Sequence, residues 1–131
     1  MDRSEASELV AGTDEQDHEG RTERLVELVA LMPVGGLVGF SGQAAQWLFE
    51  DVKATWLYGC FTSTVLTAYA FCAQQLAGSI RMLPDDPDLP DLALPLEELA
   101  TVAAKRGIVN VDLRARLLEL SDRSSAYTAT H

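Results

Sequence analysis

The sequence predicts an all-α fold, a small bundle of four main helices in which an acidic, proline-rich loop separates two helix pairs. Three observations carry this. Apolar residues recur every three or four positions in most segments. Period-two alternation never holds for more than a few residues, so no strand is expected. Four prolines gather in "MLPDDPDLPDLALPLEE", where they forbid a continuous helix while the aspartates favour turns. At 131 residues the chain supports one core, and 47% hydrophobic with 23% charged residues is a globular composition.

The elements follow in order. Residues 1–20 are polar, acidic and poor in aromatics, which predicts a disordered tail ahead of a single helical domain at 21–131. Leu25, Leu28, Val29 and Met32 place a first helix over about Thr22 to Met32, and the Pro33 segment "PVGGLVGFSG" ends it. Ser41 is the expected N-cap of the next helix, in which Ala44, Leu48, Val52 and Trp56 recur every four residues until Gly59. From Cys60 to Met82 nearly every position is small or apolar, and Phe61, Val65, Tyr69, Leu76 and Ile80 share a broad face. Pro95 suits the first position of a helix running to Arg106, with Gly107 as its C-terminal glycine. Asn110 caps the last helix, striped by Leu113, Leu117 and Leu120.

The stretch from Trp56 to Ile80 carries no charge and is long enough to cross a bilayer, so a small membrane protein with one span near 56–80 is one reading. Its content favours a buried central helix instead. It includes four hydroxyl residues between Thr62 and Thr67, the amides Gln74 and Gln75, and a Gly59 break. Small residues at Ala68, Ala70, Ala73, Ala77 and Gly78 permit close helix approach, including across a dimer interface.

Charge excludes some functions. The net charge is −10. Residues 1–24 hold eight acids against three bases, and 82–100 hold six acids and no base. Only 101–131 is positive, with five bases against three acids. General DNA or RNA binding needs a basic surface to displace counterions, which this chain lacks as a whole. Cys60 and Cys72 read as small buried residues of a reduced compartment. On one helix they lie about 18 Å apart, beyond disulfide reach. With only His18 and His131 and no Cys-x-x-Cys, neither a metal centre nor a cofactor is expected. His18 reads as a solvated loop residue, and the aspartates near 84–91 read as a solvated acidic turn rather than a cation site. The acidic N-terminus has no apolar signal region, which predicts a cytoplasmic protein.

Over about residues 41–131 the chain resembles the HEPN superfamily of helical domains. The likeness rests on "AAQWLFEDVKATWLYGCFTSTVLTAYAFCAQQL", on "LEELATVAAKRGIVN", and on the terminal "VDLRARLLELSDRSSAYTATH". Gln75 stands near the polar position of the family's second helix. The resemblance implies a homodimer that contacts through its second and third main helices. It also implies a protein partner such as a nucleotidyltransferase-type antitoxin. Active members cleave RNA without metal, using an Arg and a His in the dimer cleft. Carried over, these are Arg123 and His131, with Tyr127 one turn before the histidine as a supporting residue.

The chemistry is coherent, because histidine can shuttle the proton while arginine holds the developing phosphorane charge. The spacing departs from the family pattern, however: seven residues separate Arg123 from His131, and Ser124 stands where Asn, Asp or His is common. Residues eight apart on a helix differ by about 80° and 12 Å, so within one subunit the pair would not meet. The plainer reading makes Arg123 a solvated side chain pairing with Glu119. Trp47, Trp56, Phe61 and Tyr69 are expected as core or dimer-contact anchors rather than a base-stacking platform. The sequence therefore favours a non-catalytic, dimeric interaction or regulatory module. A metal-independent endoribonuclease, the only reading that calls for RNA, is the alternative.

Overall fold

The computed structural model describes residues 1–32, 39–83 and 92–128. Five helices make up 82% of these residues, with no strand among them. They are α1 (Arg3–Leu31), α2 (Gln43–Leu57), α3 (Phe61–Arg81), α4 (Leu96–Lys105) and α5 (Val111–Thr128). The predicted turn at 84–91 lies outside the described residues.

The first departure from the sequence reading is at the N-terminus. Residues 3–20 are helical and continuous with the predicted Thr22–Met32 segment, so His18 sits on a helix rather than a loop. A capping box starts α1. The Asp2 carboxylate accepts the Glu5 N–H at 2.8 Å, and the Glu5 carboxylate accepts the Asp2 N–H at 3.2 Å. Arg21 lies 3.5 Å from Asp17 one turn earlier, which adds local support. Tertiary support is thin, since none of the described residues of α1 is buried and it packs on α2 alone among the helices.

Helices α2 and α3 form a hairpin. The chain reverses through Gly59, at φ +75°, where an L side chain is disfavoured. Cys60 N–H donates to Thr55 O and Gly59 N–H to Trp56 O, a Schellman ending. The same device ends α4. Gly107 has φ +74°, with Ile108 N–H donating to Ala103 O and Gly107 N–H to Ala104 O. Asn110 caps α5 as predicted, its side-chain oxygen accepting the Leu113 N–H at 2.8 Å.

Two predicted caps differ. Pro95 is the N-cap of α4 rather than its first helical residue. Gly42, not Ser41, precedes α2. The Ser41 hydroxyl instead donates to Gln74 O, because α2 enters so close to α3 that this carbonyl is within reach.

The core lies at one end of the bundle. Leu76, Ala77 and Ile80 of α3 meet Leu96, Leu99, Ala100 and Ala103 of α4, joined by Leu92, Val109 and Leu117. All four α4 residues have no exposed surface. Removing side chains the size of Leu96, Leu99 and Ile80 from water contributes about 1.5–3 kcal/mol each. By contrast, α2 buries only Ala45 fully, and its aromatic Phe49 joins Phe40 and Phe71 in a half-exposed cluster with centroids 5.4–6.3 Å apart. Among the described residues no helix is long and apolar enough to cross a membrane, so the alternative of a span near 56–80 gives way to the favoured packed helix. Gly59 divides that stretch, and α3 packs against α2, α4 and α5.

The tightest approach is at Gly78, where a Cβ would collide with the Ser41 side chain. Helix propensity alone makes Gly→Ala favourable by about 1 kcal/mol. Here Gly78→Ala is expected to lower stability in urea denaturation, and Ser41→Gly in the same chain to recover most of the loss. A Gly78→Ala protein as stable as the parent contradicts the contact.

Candidate functional site

Arg123 and Tyr127 line an open, shallow groove between the first half of α3 and α5. It exists because of the residues that α3 presents there. Thr64, Val65 and Ala68 are too small to reach α5, while Ser121 and Ser124 of α5 turn inward and are buried. The Ser121 hydroxyl donates to the Glu97 carboxylate of α4 at 2.7 Å, which fixes the rotation of α5 about its axis. That rotation leaves Arg116, Glu119 and Arg123 on the groove side. The groove has two adjoining lobes of about 430 and 340 Å³ that share Thr64, Val65 and Arg123. The first has Leu120 and Ala68 as its apolar wall, and the second is lined by Trp56, Phe61 and Tyr127.

Arg123 is solvated, its side chain 68% exposed, and its guanidinium pairs with Glu119 at 3.1 Å, as the plainer sequence reading expects. A pair this exposed contributes about 0.3–0.5 kcal/mol. Tyr127 shares the second lobe with Arg123 and is also exposed. His131 lies outside the described residues.

The other predicted site residues separate into different roles. Gln75 is structural. Its side-chain oxygen accepts the Ser41 N–H at 2.9 Å and its amide donates to Gly39 O at 3.3 Å, pinning the strand of chain that enters α2. Tyr69 is a helix cap, with its hydroxyl accepting the Leu96 N–H at 3.0 Å. Leu96 is fully buried and opens α4, so this N–H has no water to turn to. Trp56 is partly buried, and its indole N–H donates to Arg24 O at 3.3 Å. Trp47 and Phe61 are corrections to any core assignment. They are 62% and 51% exposed, because Trp47 points away from α3 on the outer face of α2 and Phe61 opens α3 beside the hairpin turn.

One functional residue of the architecture escaped the sequence reading. Arg24 donates from Nε to Leu57 O at 2.9 Å, pairs with Asp17 at 3.2 Å, and lies 5.8 Å from the Phe61 ring centroid. It latches α1 onto the C-terminal end of α2. A sequence signal existed in the Asp17-to-Arg24 spacing of two helical turns, which is visible only if the helix is extended through residues 1–20.

The cysteines also part company. Cys60 is exposed at the α3 N-cap, contrary to the expected burial, whereas Cys72 lies on α3 against the core. Burial pushes the Cys72 thiol up to about 11. Among the described residues no group of three His, Cys, Asp or Glu side chains is placed to hold a metal ion. Comparisons with protein-family models, with curated proteins and with solved structures gave no match.

Tyr69→Phe removes the partner of a buried N–H and is expected to cost about 1–3 kcal/mol in urea denaturation. A loss under about 0.3 kcal/mol contradicts the capping role. Alkylation with iodoacetamide at pH 8, followed by mass spectrometry, should label Cys60 well before Cys72. Since the Cys72 thiol is raised, its contribution to stability is whole below the ordinary value of 9.0 and is lost as the pH rises through about 11.

Proposed function

We propose that the chain is a HEPN-like helical interaction module that works as a homodimer and has no catalytic activity of its own. The observation that supports it is the lopsided burial. Among the described residues eleven hydrophobic side chains are buried, four of them alanines, with one on α2 and none on α1. Leu25, Val26 and Val29 of α1 and Trp47 of α2 stay exposed.

A second copy therefore completes the bundle, and exposed aromatics such as Trp47 supply the anchor that interfaces favour. A protein partner such as a nucleotidyltransferase-type antitoxin belongs to the same reading through the family resemblance alone. The Arg123–Glu119 pair fits a module without chemistry, because a solvated guanidinium beside a carboxylate is poorly placed to hold an anionic substrate.

The endoribonuclease reading draws on one feature, the lobe that Arg123 and Tyr127 share with Trp56 and Phe61. Its test is incubation of the full chain with structured RNA in EDTA. Cleavage that His131→Ala abolishes favours the enzyme, and absence of cleavage favours the interaction module.

Light scattering of the purified chain at micromolar concentration should give twice the monomer mass. Trp47→Ala is expected to weaken self-association by about tenfold or more. A strict monomer at that concentration contradicts the dimer.

A further inference from the structure

We infer that the groove between α3 and α5 receives the overhanging first half of α1 from a second copy of this chain. The inference rests on the self-association reading and adds which surfaces meet. Residues 7–16 of α1 are exposed throughout, while the half from Asp17 to Leu28 is the part that meets the hairpin. At 100° per residue, Ala6, Leu9, Val10 and Thr13 fall within one arc of about 100°. Asp17, Arg24 and Leu28 occupy the same arc and are partly buried, as is Arg21 about 20° beyond its edge. The packing face of α1 thus runs on past the hairpin turn as a short stripe in which Leu9, Val10 and Thr13 are exposed. Leu9 and Val10 are about three-fifths exposed.

The chain's own groove cannot be the target of its own α1. The helix is continuous from Arg3 to Leu31 and Arg24 holds it to Leu57, so its first half cannot turn back onto α5. A second copy has no such restriction.

Charge and length then match. Residues 3–16 carry Glu5, Glu8, Asp14 and Glu15 against Arg3. The groove carries Arg116 and Arg123 against Glu119, a local positive excess in a chain of net charge −10. Glu5, which closes the exposed capping box, and Asp14, which lies 3.8 Å from Arg21, flank the stripe about 13 Å apart along α1, and Arg116 and Arg123 are about 10 Å apart along α5. Long arginine side chains span that difference. The stripe itself faces the apolar wall of Val65, Ala68 and Leu120. Residues 3–16 make a rod about 20 Å long, against about 16 Å of α5 from Arg116 to Tyr127. In a symmetric dimer the exchange is reciprocal, each α1 filling the other's groove.

Sedimentation equilibrium of the full chain and its variants tests this, with far-UV circular dichroism to show that each variant keeps its helix content. Arg116→Glu with Arg123→Glu, and separately Leu9→Asp, should each raise the dimer dissociation constant about tenfold or more. Every one of these side chains is solvent-exposed in the single chain, so folding is spared. Adding Asp14→Lys to the reversed groove should recover at least about threefold of the lost affinity, with Glu5 left in place because its carboxylate closes the α1 capping box. Recovery identifies the facing pair. Parent affinity in both the groove and Leu9 variants overturns the inference while leaving self-association through another face intact. A groove effect that the charge swap does not recover overturns it too. A parent chain that stays monomeric to about 100 µM removes this inference and the self-association reading together.

Discussion

Everything in this protein is arranged around the burial of a ten-residue helix, α4, against the C-terminal half of α3. Leu96, Leu99, Ala100 and Ala103 leave no surface exposed, and Leu76, Ala77 and Ile80 of α3 are their counterparts. A helix this short is unstable alone, so its existence depends on that contact. The contact has a polar condition as well. The first N–H of α4 is sealed from water and needs Tyr69 to accept it. Once α4 is seated, Gly107 and Asn110 set the turn into α5, and the Ser121–Glu97 hydrogen bond fixes which residues α5 shows to α3.

Concentrating the core at one end leaves the other end unfinished. The first half of α3 diverges from α5 with only Thr64, Val65 and Ala68 between them, which opens the groove. α1 is tied to α2 through Arg24, a polar latch, rather than through a shared apolar layer. Polar latches at half-exposed sites stabilise weakly, so α1 owes its length to its capping box and local ion pairs. A module built this way gains most from a partner that covers its exposed apolar surface, and that is the physical basis for reading it as an interaction domain.

Much of the fold was legible in the sequence because its punctuation is local. Gly59, Gly107 and Asn110 do what their residue types imply, and the leucines and alanines of α4 with Leu117 and Leu120 of α5 face the core, while Leu113 of the expected stripe stays exposed. Two things were not. Residues 1–20 read as a tail because their composition is acidic and apolar-poor, while the Asp2-x-x-Glu5 capping box that starts a helix there is a two-residue signal within that background. Ser41 read as a cap because a serine before an apolar run usually is one. Whether it caps depends on how near another helix lies, and Gly78, thirty-seven positions on, decides that.

The site was less legible than the fold. Gln75 stood out as a supporting polar residue and Tyr69 as a core or dimer-contact anchor, yet their partners are backbone groups at Gly39, Ser41 and Leu96 that no periodicity points to. Arg123 was placed correctly on Glu119 because that pairing is an i,i+4 rule of the helix itself.

Completion of the exposed end of the bundle by a second copy has a direct readout. Amide hydrogen exchange followed by mass spectrometry as a function of protein concentration tests it most directly. Protection of α1 residues 3–16 should rise as concentration carries the chain from monomer to dimer, while the amides of α4, already sealed within one chain, should stay unchanged. Exchange of α1 at one rate across the whole concentration range would contradict the account.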